Sequence, residues 1–319
     1  MGNIQPLYVK QNPIILSPRL LHPRHWPSWL GLGMLWMVVQ LPYPLLLRTG
    51  SALGMLLYPL ARRRRHIAKT NIRLAFPHLN SAQQKALVKA HFRASGIGFV
   101  EVGLSWWGKE KDLQRLTHIE GLEHIQQALE QGRGAIMLGS HFTCMILAGR
   151  LLAQAQPFHI VVKKAHNPVF EAMIRHYRLQ QYQGLLDSTD MRGILRVLKK
   201  NQVVWYAPDQ DFRHRGSAVF VPFMGIQTAT LTTTARLAKA SRAPVLYIEF
   251  RCLPGARGYQ LKLHPPLEDF PSGDDHADAR RINALIEEDL KNTPEQYLWT
   301  HRRFKTRPEG EPDLYDTSS

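Results

Sequence analysis

Three side chains in this sequence have the types and the setting for acid–base chemistry: His141, Asp209 and Asp211. His141 closes an apolar run that begins at Gly134, where a buried strand should stop and a helix should start. In an open α/β sheet such a strand end faces the crevice in which ligands bind. An imidazole placed there can take a proton from a hydroxyl, provided a partner, often a carboxylate, fixes its tautomer. One turn along the following helix that carboxylate could sit at position 146, but the residue there is Ile146. Asp209 and Asp211 follow the apolar run Val203–Ala207 across Pro208. Two carboxylates at that spacing could hold Mg²⁺ or Mn²⁺, as in metal-dependent sugar transferases. They could also shape a turn, or one could orient a histidine from a neighbouring loop. From spacing alone the turn leads.

Other candidates are weaker. Lys163 and Lys164 close the next apolar run and could meet a phosphate, although strand-end lysines are more often simply solvated. The segment from Leu298 to Pro308 places His301, Arg302, Arg303, Lys305 and Arg307 among aromatic residues. That pattern suits lipid headgroups, with stems and rings at the interface. No helix-turn-helix, zinc-finger or RRM signature supports nucleic acid as a partner. A P-loop, a GxGxxG fingerprint and a GxSxG elbow are also missing from the sequence. The histidines show no zinc spacing, and Cys144 and Cys252 do not make a disulfide framework.

The elements that must position these residues alternate between short apolar runs and helical patterns. Strands are expected near 134–139, 159–162, 203–207, 219–222, 245–250 and 259–263. Helices are expected over 66–110 and near 121–131, 142–155, 168–179, 190–200, 229–240 and 277–291. The alternation predicts an α/β fold with a mixed, mostly parallel central sheet flanked by helices. Gly255 and Gly258 mark a hairpin, so one side of the sheet should be antiparallel. The expected organisation is a membrane-anchoring segment over 1–65, a catalytic domain over 66–308 and a disordered acidic tail over 309–319.

The anchor is inferred from the stretch between Pro27 and Leu47, which carries no charge and is long enough to cross a bilayer core. Pro42 and Pro44 interrupt it near one end, and Trp26, Trp29 and Tyr43 stand where interfacial anchors would. A second uncharged stretch, Thr49–Ala61, could lie flat on the surface ahead of Arg62–Arg65. The arginines place the body of the protein in the cytoplasm by the positive-inside rule. With 41 Lys and Arg against 25 acidic residues, a net charge of +16, polyanionic partners are expected.

Several segments resemble the lysophospholipid acyltransferase superfamily, and most closely the bacterial lipid A late acyltransferases of the lauroyltransferase type. They run from His66 through Asn71 to Pro77, from Gly139 through His141 to Thr143, from Asn167 to Phe170, from Trp205 through Asp209 and Asp211, from Val219 to Gly225, and from Gln296 to Pro308. The resemblance implies a single-pass enzyme of the bacterial inner membrane with its site at the cytoplasmic surface. It implies transfer of a fatty acyl chain from acyl carrier protein to a hydroxyl on a lipid A precursor, with no metal and no other cofactor. Anionic phospholipid would be a further partner. The family signature is His-x-x-x-x-Asp/Glu, with the histidine as general base, so His141 and position 146 are the dyad. It tends to have arginine where Lys163 stands. Lys163, Lys164, Asp209, Asp211, Arg302, Arg303 and Lys305 are the expected substrate contacts. Ile146 predicts weak or no activity, unless another acid such as Asp209 or Asp211 orients His141. A metal-dependent glycosyltransferase using Asp209 and Asp211 and a non-catalytic lipid-binding relative are the alternatives.

Overall fold

The structure is a computed structural model and describes residues 17–163, 165–211 and 218–316. Its strands are β1 (Thr117–Glu120), β2 (Ala135–Leu138), β3 (His159–Val162), β4 (Gly184–Asp187), β5 (Val203–Tyr206), β6 (Ala218–Phe223), β7 (Ile226–Leu231), β8 (Val245–Cys252) and β9 (Tyr259–Leu263). Seven of them form the central sheet in the order β1-β9-β8-β2-β5-β3-β4. From β8 to β4 all neighbours are parallel, while β9 runs antiparallel to β8 and β1 runs parallel to β9. The expected mixed, mostly parallel sheet is therefore present, with its reversed pair on one side. All four residues of β2 are buried, as expected of a parallel strand covered on both faces.

The helices are α1 (Pro18–Leu21), α2 (Trp26–Val39), α3 (Tyr43–Leu60), α4 (Arg62–Ala75), α5 (Ser81–Trp107), α6 (Glu110–Arg115), α7 (Leu122–Glu130), α8 (Met145–Ala155), α9 (Pro168–Gln181), α10 (Met191–Lys199), α11 (Thr233–Ser241) and α12 (Asp275–Leu290). Three strands escape the sequence patterns. β1 (Thr-His-Ile-Glu) and β4 (Gly-Leu-Leu-Asp) lack the longer apolar runs that mark the equally short β2, β3 and β5. β7 overlaps the start of the helix expected over 229–240. Its Thr-rich stretch pairs with β6 across Met224 and Gly225, both at positive φ (52° and 79°), the backbone that a tight two-residue hairpin requires. Pairing with β6 decides its conformation and delays α11 to Thr233.

The expected spanning helix does not form. Pro42 lies just ahead of α3 in a non-helical conformation and splits the uncharged run into α2 and α3. α2, with 14 residues, reaches only about 21 Å against a hydrocarbon core of about 30 Å. α3 carries Arg48 and Pro59. Among the described residues no helix is long and apolar enough to cross a membrane. One side of α2, Leu32, Leu35 and Val39, packs with Leu46, Leu47, Val100 and Trp106 in a satellite core. α3 meets α5 almost backbone to backbone: a Cβ on Gly96 would stand 2.1 Å from Gly50 O, and one on Gly54 would stand 2.0 Å from Phe92 O. The N-terminal helices are thus built into the body. At the other end, the tail expected to be disordered returns to the body, where Tyr315 is buried and donates to Asn71 Oδ1.

Candidate active site

His141 and Asp209 stand at the carboxyl ends of two hydrogen-bonded neighbours, β2 and β5. The register pairs Leu138 with Tyr206, and each candidate lies three residues beyond its member of that pair. The sheet therefore brings the two side chains level. Asp209 Oδ1 lies 2.6 Å from His141 Nδ1, and Asp209 Oδ2 accepts the backbone N–H of His141 at 2.9 Å. One carboxylate holds both the ring and the main chain of the histidine. Asp209 is buried, while the His141 side chain keeps 22% of its surface exposed.

Burial alone would push the Asp209 carboxyl up. The His141 charge and its two hydrogen bonds, with the Arg303 charge behind them, outweigh that effect and bring it down to about 2. Asp209 is then a carboxylate at neutral pH and can only accept. In the neutral ring Nδ1 then carries the proton, and Nε2 is the basic nitrogen. This is the arrangement that acid–base catalysis by an imidazole requires.

Position 146 is not the partner. The helix expected from residue 142 begins at Met145, because the segment after β2 is drawn away by the C-terminal segment. Phe142 forms a bridge with Tyr297, Thr143 N–H donates to Gln296 O (2.7 Å), and Leu298 N–H donates to His141 O (2.9 Å). Ile146 instead lines an apolar pocket, and the carboxylate that meets the His141 ring is that of Asp209.

That pocket is narrow and lined mostly by apolar side chains. Met145, Ile146, Phe158, Ile160, Trp205 and Phe250 are among its walls, with Arg178 and Tyr182 also lining it. Gly139, two residues before His141, makes room at this end: a Cβ there would stand 2.8 Å from Trp205 Nε1 and 2.9 Å from Phe250 Cε2. Ser140 is pinned from behind, hydrogen-bonded to the Tyr247 hydroxyl (2.8 Å), which donates to Asp289 Oδ2 (3.0 Å). Tyr247 and Asp289 carry no sequence motif, and only the fold shows that they brace the histidine loop.

The remaining candidates divide. Asp211 has a separate task from Asp209: its oxygens accept from the backbone N–H (2.6 Å) and hydroxyl (2.8 Å) of Thr306, and its own N–H donates to His301 Nε2 (3.1 Å). Burial pushes His301 down to about 4, which keeps that nitrogen free to accept. Among the described residues no group of three or more His, Cys, Asp or Glu could hold a metal. Arg303, expected at a headgroup, is inside the protein. It donates to Ala229 O (3.0 Å) and Asn283 Oδ1 (3.3 Å), and its guanidinium lies 5.0 Å from the Phe223 ring centre. Trp299 and Phe304 are fully buried with it, so these three residues of the basic-aromatic segment belong to the core. Asn71 ties it down by donating to Trp299 O and His301 O at 2.7 Å each. Arg302 is 3.7 Å from Asp313 and lies over Tyr315. Lys305 is half-buried, and Lys163 is exposed just past β3. Lys164 lies outside the described residues.

A family model for bacterial lipid A biosynthesis acyltransferases matches residues 15–306. The chain belongs to this family. It is 40% identical to the lipid A biosynthesis lauroyltransferase of Escherichia coli (strain K12) over 94% of this chain and 98% of that protein. It is 36% identical to the lipid A biosynthesis palmitoleoyltransferase of the same organism, over 94% and 97%. A lipid A biosynthesis acyltransferase of Haemophilus influenzae is 32% identical over 94% and 97%. The matched range takes in His141, Asp209, Asp211 and the buried C-terminal segment up to Thr306.

Proposed function

We propose that this protein transfers a fatty acyl chain from acyl carrier protein to a hydroxyl of a lipid A precursor, with His141 as general base and Asp209 as its orienting carboxylate. The observation that carries this reading is the 2.6 Å contact between His141 Nδ1 and Asp209 Oδ1 beside an apolar pocket. His141 Nε2 takes the proton of the acceptor hydroxyl as that oxygen attacks the thioester carbonyl. The C–S bond breaks, the imidazolium returns the proton to the leaving thiolate, and an ester remains. The apolar pocket holds the acyl chain, and neither a metal nor another cofactor takes part. Acyl carrier protein as donor suits a chain of net charge +16, since an acidic partner is steered toward it.

The same reading puts the site at the cytoplasmic face of the bacterial inner membrane. Leu30, Met34, Trp36 and Met37 of α2 and Leu56, Leu57 and Leu60 of α3 are exposed, and Arg62 and Arg63 follow, also exposed. Apolar side chains next to basic ones fit a surface that dips into one leaflet of an anionic bilayer. Lys163, Lys164, Arg302 and Lys305 are the remaining candidates for the phosphates of the acceptor.

The test is transfer of a labelled acyl chain from acyl carrier protein to a lipid A precursor by the purified full chain, with mass spectrometry of the product. Product in the presence of EDTA, lost in His141→Ala, is the expected result. A wild-type chain that forms no acylated product overturns the reading.

A further inference from the structure

Among the described residues several buried side-chain nitrogens and oxygens lack a hydrogen-bond partner, and one of them, Trp205 Nε1, belongs to a residue that lines the apolar pocket. A buried N–H left unmade is a standing penalty unless something else satisfies it. Its position says what that could be. Trp205 pairs with Met137 across β5 and β2, and Gly139 is the next residue of β2's path on the same face. The indole nitrogen reaches the space that a Gly139 side chain would fill, 2.8 Å from the ideal Cβ. It therefore lies against Gly139, two residues before His141, and Met145 and Ile146, just beyond His141, line the same pocket.

A saturated chain has nothing to offer an N–H except at its head. If the chain fills the pocket, its thioester carbonyl must emerge at the His141 end, because the acceptor oxygen that His141 activates attacks that carbon. We propose that the Trp205 indole N–H donates to the carbonyl oxygen of the acyl thioester and stabilises the oxyanion formed during transfer. The inference rests on the acyl-transfer reading and adds a catalytic residue to it. As the acceptor oxygen bonds to the carbonyl carbon, negative charge gathers on the carbonyl oxygen. The electron pair re-forms the C=O bond as the C–S bond breaks, the charge leaves on the thiolate sulfur, and the indole keeps its proton throughout. A donor already fixed in a water-poor site is suited to this, since it needs no reorganisation at the moment of reaction.

The experiment compares wild type with Trp205→Phe, which keeps an aromatic wall but has no N–H, in steady-state transfer from acyl carrier protein to a lipid A precursor. The variant is expected to lose about 10²-fold in kcat, while KM for the donor changes by only a few-fold. Unchanged kcat in Trp205→Phe overturns the proposal while leaving the acyl-transfer reading intact; a wild type without activity overturns both. A second measurement needs no stable variant. Wild type is titrated with a dodecyl ketone analogue of the thioester, CH₂ replacing sulfur, and with the matched compound carrying CH₂ in place of the carbonyl as well. About 10-fold tighter binding of the ketone is expected, and equal binding of the two overturns the proposal.

Discussion

Asp209 grips His141 twice, with Oδ1 2.6 Å from the ring nitrogen Nδ1 and Oδ2 2.9 Å from the backbone nitrogen. The double contact fixes ring orientation, tautomer and loop position with one buried carboxylate. Asparagine at this position keeps the size but offers only one acceptor oxygen and no charge. Asp209→Asn is expected to lower kcat by about 10²–10⁴-fold, the scale of losing the orienting acid of a histidine base, with KM little altered. Steady-state kinetics on both substrates checks this, and a variant within a few-fold of wild type would remove Asp209 from the mechanism.

Ile146 offers the complementary test. Since the side chain lines the apolar pocket and Asp209 already holds His141, an acid at 146 has no vacant role. Ile146→Glu is expected to leave kcat no higher than wild type, to raise KM for the acyl donor, and to lower Tm, because a carboxylate then replaces apolar packing in the pocket wall. A variant that turns over several times faster than wild type would show that a second orienting acid matters.

The sequence makes much of the sheet visible and almost none of its order. Val203–Tyr206 and Ala135–Leu138 read as buried strands from their apolar runs, but nothing local says that β5 lies beside β2 in parallel register. That one long-range pairing converts two distant side chains into a dyad, and it is why Asp209 can be orienting acid or turn former when only spacing is considered. Ile146 misleads for a related reason. A helical count from His141 puts position 146 one turn on, yet the bridge from Phe142 to Tyr297 delays α8 until Met145. The N-terminal run fails as a span because composition sets hydrophobicity, whereas Pro42 sets where a helix can continue. Tyr247 and Asp289 stay invisible because bracing residues take their role from neighbours rather than from any motif.

Arg303 separates a structural role from a headgroup role. Its guanidinium is enclosed, bonded to Ala229 O and Asn283 Oδ1, with its charge helping to keep Asp209 ionised. Arg303→Ala is expected to cost about 3–5 kcal/mol of stability, as removal of a buried charged partner does, and to show it as a lower Tm. A headgroup contact would raise KM for the lipid acceptor at an unchanged Tm. Thermal melts and acceptor kinetics on the same preparation tell the two apart.

The exposed apolar residues of α2 bear on the membrane reading. The full chain is expected to float with vesicles containing anionic phospholipid and to bind zwitterionic vesicles more weakly, since the exposed Arg62 and Arg63 add attraction that salt screens. A double change, Trp36→Glu with Met37→Glu, removes apolar contact from an exposed face and should cut flotation at least several-fold without changing Tm. Equal flotation of the double variant would assign lipid binding to another surface.

Glu101 gives the fold a pH dependence of its own. Its carboxyl is buried on α5, and burial pushes it up from 4.5 to about 7, against the opposing hydrogen bond donated by the Tyr259 hydroxyl at 2.7 Å. A carboxyl raised in the folded state favours folding fully below its unfolded value, and that contribution is lost as pH rises through the folded value. Stability from Glu101 should therefore decline between about pH 4.5 and 7 and level off above. Asp289, also raised to about 7 chiefly by burial and next by the Glu249 charge, acts in the same direction and remains in the variant. Glu101→Gln cannot ionise, so relative to wild type it is expected to gain on the order of 3 kcal/mol between pH 4.5 and pH 8. The measurement is denaturant unfolding of both proteins at the two pH values. A stability difference that is the same at both would mean that Glu101 ionises as readily in the folded chain as in the unfolded one.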